Sequence, residues 1–221
     1  MIELLMFDAD GVLFDSYESN IAYYNSIFAQ VGEAPLSPQE ETASISYAAA
    51  SMFESRARGD AAKLARMAEI ARNLDASQFF DLMRPPFVLR PFMLELRRRY
   101  RLALATNRSA TVPSLIKHLD LEGVFDAVAS ALDKVPPKPA PDILQLCLKR
   151  AGVEASRAVY IGDSPIDREA AEAAGMRFVG IGARVDHEHR IDALIDLEQA
   201  LARLIATLSD VATQSVKASS R

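Results

Sequence analysis

The sequence predicts an α/β protein: a parallel sheet flanked by helices, interrupted after its first strand by an α-helical insert. Three observations carry that expectation. Short apolar runs recur, several of them closing on a polar or acidic residue. From about Pro85 onward, stretches of helical spacing separate these runs. Residues 16–85, by contrast, show helical spacing without a convincing strand. Alternating strands and helices imply parallel pairing with both faces covered, and such sheets bind ligands beyond the carboxyl ends of their strands.

The elements follow in order. In the opening "MIELLMFDADGVLFDS", Ile2 to Phe7 reads as a buried strand, a short apolar run bounded by a turn signal. Asp8 and Asp10 fall where it ends. Within the insert, Leu64, Met67, Ala71 and Leu74 make one apolar stripe, and "PLSP" and "RPPF" punctuate the segment. One crossover rarely needs about seventy residues. Residues 16–85 are therefore expected to form a helical domain inserted into a core of residues 1–15 and 86–208, with 209–221 a frayed polar tail. The run "RRRYR" (97–101) closes a helix, where cations suit the dipole. "LALAT" (102–106), "FDAVAS" (125–130), "AVYIGDS" (158–164) and "RFVGIG" (177–182) are further strands. "PDILQLCLKRAG" starts near Pro141-Asp142 and stops at Gly152, and "REAAEAAG" stops at Gly175. The amphipathic "IDALIDLEQALARLIATL" is expected to pack on the sheet as the last helix.

Composition narrows the function. A chain of 221 residues suits one large domain, or one carrying a smaller insert. Its net charge of −5 argues against nucleic acid or an anionic membrane as partner. The single cysteine, Cys147, cannot form an internal disulfide and fits an apolar helical pattern, so a reducing cytoplasm is the expected home. No basic stretch precedes an apolar segment as in a signal peptide, and no apolar run approaches the roughly 18–20 residues of a membrane span. Oligomeric state is not legible in the sequence.

The chemistry gathers at the strand ends. Asp8 and Asp10 follow the first strand, Thr106 and Asn107 the second, and Asp163 the fourth, with Asp167 four residues on. Lys138 stands in the proline-bracketed "PPKPAPD" just before a helix. Parallel strands bring these ends to one edge. Two carboxylates that close repel by several kcal/mol at an effective dielectric near ~20, so such a cluster requires a cation. Hard oxygen donors without histidine or thiolate indicate Mg²⁺, which commonly sits beside a phosphate.

These stretches resemble the haloacid dehalogenase superfamily. "DADGVLFDS" is similar to its first motif, "ATNRS" to its second, "KPAPD" to its third and "IGDSPID" to its fourth, in the family's order and spanning Met1 to about Gly182. The resemblance is to the phosphoglycolate-phosphatase-like branch, whose helical cap lies between the first and second motifs. It implies a Rossmann-like core with a cap at residues 16–85 and a Mg²⁺-dependent phosphatase acting on a small phosphorylated metabolite. Asp8 would then be the nucleophile, forming an aspartyl-phosphate. Asp10 would be the general acid and base, with its backbone carbonyl on the metal. Thr106 and the Asn107 amide would hold phosphoryl oxygens, and Lys138 would neutralise nucleophile and phosphate. Asp8, Asp10, Asp163 and Asp167 would form the metal site, Asp167 as a ligand or through water. Cap hinges are expected near Phe14–Tyr17 and Arg84–Phe87.

Other readings fit these residues less well. Dehalogenases of the superfamily lack the second aspartate of the first motif, which Asp10 supplies. Phosphosugar mutases of the branch usually show E-D-S-x-x-G in the fourth motif, where this chain has Gly162-Asp163-Ser164 and ends in Asp167. A non-catalytic phosphate- or metal-binding regulator would be signalled by loss of the nucleophile or the lysine, and both are present. Lys134 is a nearby rival to Lys138, without its K-P-x-P-D context. Arg108 either reaches the phosphate or faces solvent. Asp15 reads as hinge or turn structure, His187 and His189 as a solvated loop without zinc spacing. Arg56, Arg58 and Lys63 either meet an anionic substrate or line an exposed helix face.

Overall fold

The computed structural model describes residues 1–44, 49–108 and 110–207. Five parallel strands form one sheet: β1 (Leu4–Phe7), β2 (Arg101–Thr106), β3 (Ala127–Ser130), β4 (Ala158–Gly162) and β5 (Arg177–Gly180), in the order β3-β2-β1-β4-β5. The order reverses at β1, so the crevice beyond its carboxyl end is the place where such a sheet opens to a ligand. Phe7 pairs with Leu104 and Ile161, which aligns the ends of the three central strands.

The strands' two-residue period divides the core. One face sets Leu5, Phe7, Leu102, Leu104, Val159 and Ile161 against helices α5 (Leu89–Arg97) and α6 (Val112–His118) and a final helix, α9 (residues 197–207). The other packs Leu4, Met6 and Tyr160 with the small residues Ala103, Ala105, Ala127 and Ala129 against α7 (Asp142–Ala151) and α8 (Pro165–Ala173). Those alanines let α7 lie close to the sheet, and Cys147 Sγ reaches the Leu104 carbonyl at 3.5 Å. Burial pushes this thiol up to about 12, so it is an inert core residue.

Between β1 and β2 the chain is helical: α1 (Tyr17–Gln30), α2 (Pro38–Ala43), α3 (Ala49–Ala57), α4 (Ala61–Asn73) and a 3₁₀ segment at Ala76–Leu82. These helices bury a cluster of their own, centred on Tyr24, Ile27, Phe28, Phe53 and Met67, with Leu64, Ala71 and Leu74 packed at its margin. The entering and leaving chains are bound to each other where they cross, Asp15 and Arg84 exchanging backbone hydrogen bonds of 2.9 and 3.0 Å.

The structure shifts several expected boundaries. β3 starts at Ala127, not Phe125, because Asp126 instead ties its carboxylate to Leu102 N at 2.9 Å. β5 ends at Gly180, and Ile181 forms a bridge to Ile191. That bridge and a 3₁₀ turn at Leu194–Asp196 delay the last helix to residue 197 rather than Ile191. Leu208 and the tail 209–221 lie outside the described residues. The short α6 had no expectation attached to it. No described helix is long and apolar enough to cross a membrane.

Candidate active site

The cleft at the carboxyl edge, about 170 Å³, lies between the strand ends and the inserted helices. Asp8, Asp10, Thr106, Asn107, Arg108, Lys138 and Asp163 line its floor, and its roof comes from α1, Ser44, Ala49 and residues near Phe80. Asp8 follows β1 directly and is held by its N–H donating to the Ile161 carbonyl at 2.9 Å. Two glycines make the close packing possible. Gly11 has φ +71°, and a Cβ there would collide with the Asp163 carboxylate; a Cβ on Gly162 would collide with Asp167.

Lys138 is the centre of a buried ion cluster. Its Nζ lies 2.9 Å from Asp8 Oδ1 and 2.6 Å from Asp167 Oδ1, and it donates to the Tyr160 hydroxyl at 2.8 Å. Burial alone would lower the lysine, but the charges of Asp167 and Asp8 outweigh it and hold the ammonium protonated. Asp8 has the opposite balance. Burial raises its carboxyl to about 6, against the pull of Lys138 and with added repulsion from Asp167 and Asp10.

Asp167 occupies the third position of α8. Its Oδ2 accepts from Ser164 Oγ at 2.5 Å and Ser164 N at 3.1 Å, the carboxylate half of a capping box. Both of its oxygens therefore already have partners, and it sits buried behind the cleft lining, where it steers Lys138. Tyr160 completes the support, its hydroxyl 2.9 Å from the Ala105 carbonyl and 3.2 Å from Asp167. Nothing in an apolar run such as "AVYIG" marks that tyrosine out.

Asn107 fixes the Lys138 backbone in both directions. Its Nδ2 donates to the Lys138 carbonyl at 3.1 Å, and its Oδ1 accepts from Lys138 N at 2.8 Å. The side-chain amide is thus spent on placing the lysine. Thr106 is buried at the end of β2 and its hydroxyl accepts from Arg108 N at 3.2 Å.

Arg108 neither faces solvent nor stands free. Its Nε and Nη2 grip both oxygens of Asp10, each at 2.6 Å, with the guanidinium 5.4 Å from the Phe14 ring. Burial would raise Asp10, but the Arg108 charge and hydrogen bonds prevail and hold this carboxyl below the usual range. Neighbouring Asp8 and Asp10 are thereby pushed apart, one towards the neutral form and one towards the anion. Arg184, from the loop after β5, pairs with Asp163 through one nitrogen, Nη2 on Oδ2.

Asp8, Asp163 and Asp167 can bring one oxygen each within 4.8 Å of one another and form an acidic group that could bind a metal. Asp10 lies outside this group, since its carboxylate is turned to Arg108. The donor set suits a hard cation, having carboxylates and no thiolate or imidazole. Asp8 Oδ1 is buried with the Lys138 ammonium 2.9 Å away but poorly aligned for a hydrogen bond, which leaves it room for a further partner.

The remaining cations and histidines do other work. Arg56 is buried inside the insert, bonded to Glu40 at 2.5 and 2.7 Å and to the Ala34 and Pro35 carbonyls. Lys63 pairs with Glu33 at 2.6 Å, Arg58 is exposed just past α3, and Lys134 is exposed. His187 packs edge-on against Phe178, and burial lowers its pKa. Asp15 accepts from Tyr17 N at the crossing of the two chain segments.

Fold and site together define an α/β protein with a Rossmann-like core and an acidic, lysine-centred cleft at its carboxyl edge. Residues 5–181 match the model of the haloacid dehalogenase-like hydrolases, and the chain belongs to that family. Over 215 residues it is 32% identical to Protein CbbY of Cereibacter sphaeroides, covering 89% of this chain and 92% of that one. It is 31% identical over 184 residues to the phosphoglycolate phosphatase of Cereibacter sphaeroides (strain ATCC 17029 / ATH 2.4.9), covering 79% of this chain and 82% of the relative. A HAD-superfamily hydrolase, subfamily IA, from Geobacter sulfurreducens PCA superposes with a TM-score of 0.72 at 28% identity, over 90% of this chain and 96% of the other. The chain is a phosphatase of this family, in the phosphoglycolate-phosphatase-like group.

Proposed function

We propose that this protein hydrolyses a small phosphate monoester, phosphoglycolate-like or a phosphosugar, through an aspartyl-phosphate on Asp8, with Mg²⁺ as cofactor. The observation that carries the proposal is Asp8 itself: a buried carboxylate at the switch point of the sheet, paired with the Lys138 ammonium 2.9 Å away. In the first step an Asp8 oxygen attacks phosphorus while the bond to the leaving oxygen breaks, and Asp10 delivers a proton to that oxygen. In the second, Asp10 takes a proton from the water that attacks phosphorus, the Asp8–phosphorus bond breaks and inorganic phosphate leaves.

Lys138 balances the negative charge of nucleophile and phosphoryl group, and Thr106 donates its hydroxyl to a phosphoryl oxygen. Asn107 contributes its backbone N–H, since its side chain is committed to Lys138. Asp8, Asp163, Asp167 and the Asp10 carbonyl would hold Mg²⁺, Asp167 directly or through water. Bound there, the ion supplies positive charge against the phosphoryl oxygens, the dominant need in phosphoryl transfer. The grip of Arg108 favours ionised Asp10, which the second step needs. Arriving phosphate competes for Arg108 and loosens that grip for the first.

Residues 16–85 act as a cap that closes the cleft over the ester. Their own hydrophobic cluster and the paired crossing at Asp15 and Arg84 support this division from the core of residues 1–15 and 86–208. A cytoplasmic setting accords with the single, buried Cys147.

The test is phosphate release from a panel of esters with and without Mg²⁺, for the native protein and Asp8→Asn. Turnover that needs Mg²⁺ and vanishes in the variant is the expected result. Turnover that survives Asp8→Asn would sink the covalent mechanism.

A further inference from the structure

The inserted helices present the cleft with an uncharged wall. From α1, Asn20, Tyr23 and Tyr24 line it, and Phe79 adds an aromatic ring 6.2 Å edge-on from Tyr23. Tyr24 is 5% exposed, yet among the described residues neither its hydroxyl nor that of Tyr23 makes a hydrogen bond to the protein. The Asn20 amide nitrogen is held by Ser16 and the Ser44 carbonyl at 3.3 Å each, which points the amide without using its oxygen. Two phenols and an amide oxygen thus stand ready at the side of the cleft opposite Asp8.

Among the described residues this wall carries no positive charge. No lysine or arginine of residues 16–85 lines the cleft among the described residues, and residues 45–48 are Ile, Ser, Tyr and Ala. Arg56 and Lys63 are turned into the insert and neutralised by Glu40 and Glu33. The one guanidinium that lines the cleft, Arg108, belongs to the floor and is engaged through two nitrogens by Asp10.

We infer that the ester this site selects has an uncharged, hydroxylated leaving group, as in a sugar or polyol monophosphate, and that carboxylated esters and bisphosphates are disfavoured. The inference rests on the phosphatase reading above and fixes its substrate class. Sugar hydroxyls exchange hydrogen bonds with the phenols and the amide oxygen, and the C–H face of the sugar lies on the aromatic rings. A carboxylate or a second phosphate on the leaving group would lose its water against this wall and meet no cation of the insert, while Arg108 on the floor is held by Asp10. A site that hydrogen-bonds substrate hydroxyls also discriminates against compounds lacking them.

The experiment compares kcat/KM for a pentose 5-phosphate and hexose monophosphates with 2-phosphoglycolate and a hexose bisphosphate, using p-nitrophenyl phosphate as the reference for core chemistry. The same compounds are titrated calorimetrically into Asp8→Asn with Mg²⁺. The expected result is a preference of at least about tenfold for the sugar monophosphates in both turnover and affinity. Equal or better use of 2-phosphoglycolate, with p-nitrophenyl phosphate hydrolysed, overturns the inference and leaves the phosphatase reading standing. Failure to hydrolyse any ester removes that reading, and the titration then decides: sugar monophosphates bound tenfold tighter uphold the uncharged wall, and equal or weaker binding overturns it. Asn20→Arg, which places a cation in the wall, is expected to move the ratio towards 2-phosphoglycolate about tenfold. An unmoved ratio counts against the wall as the leaving-group site.

Discussion

At the scale of single residues, the site is a set of buried charges whose balance the surrounding chain sets. Asp8 is the clearest case, because burial lifts its carboxyl from 3.8 to about 6. A raised carboxyl pKa costs the folded state nothing below pH ~4, an increasing amount as pH rises, and its full cost, at most about 3 kcal/mol, above pH ~6. Asp8→Asn is therefore expected to melt above the native protein at pH 7–8 in the absence of metal, with the difference closing towards pH ~4. Thermal melts in a chelator read this directly; a native protein more stable at pH 7 would contradict the burial argument. Asp10 has its carboxyl held down by Arg108, so Arg108→Gln should let Asp10 keep its proton to higher pH. The acid limb of the turnover profile then moves to higher pH, while a purely structural role for Arg108 would lower the rate without moving the limb. Sequence motifs mark the acids and Lys138. They do not mark Tyr160, the fixing of Lys138 by Asn107, or the Arg108–Asp10 pair, because those depend on side chains meeting across separate strands.

At the scale of elements, what matters is how closely strand, turn and helix approach. The turn after β1 passes against Asp163 only because residue 11 has no side chain and tolerates φ +71°. Gly11→Ala should lose about 1–3 kcal/mol through backbone strain, displace Asp163, and lose activity beyond what the stability change accounts for. Denaturant unfolding alongside turnover measures both, and a fully active variant would show that the turn yields without cost. The helix that follows Lys138 was legible for local reasons. Residues 142–151 carry an apolar stripe and end at Gly152 with φ +65°, a helix stop visible in the sequence. Residues 112–118 have seven helical residues and two buried positions, too little periodicity to announce a helix. The late start of the last helix had no local signal either, since the Ile181–Ile191 bridge that delays it joins distant residues.

At the scale of the whole molecule, the cleft exists only because the inserted helices pack over the strand ends. The ring of Phe80, in the insert, lies 5.3 Å from the ring of His118 on α6. Closure of residues 16–85 over substrate predicts that a short reversible thiol cross-link between Phe80→Cys and His118→Cys slows turnover and that reduction restores it. Cys147, buried with its thiol pushed up to about 12, will not compete for the reagent. Unchanged turnover in the locked protein would rule out cap motion as part of the cycle.

The sequence by itself determined the layered α/β core, the helical character of the insert and the acids and lysine that gather at the strand ends. These follow from local periodicity, from turn chemistry and from the rule that parallel strands end at one edge. Only the tertiary structure decided how those charges are paired and which way the cations of the insert face. Arg56 and Lys63 read equally well as substrate ligands or as an exposed face. Partners up to thirty residues away draw them inward: Glu33, Glu40 and two backbone carbonyls. A buried cation goes where it finds opposing charge and acceptors, and only the folded chain fixes where these lie.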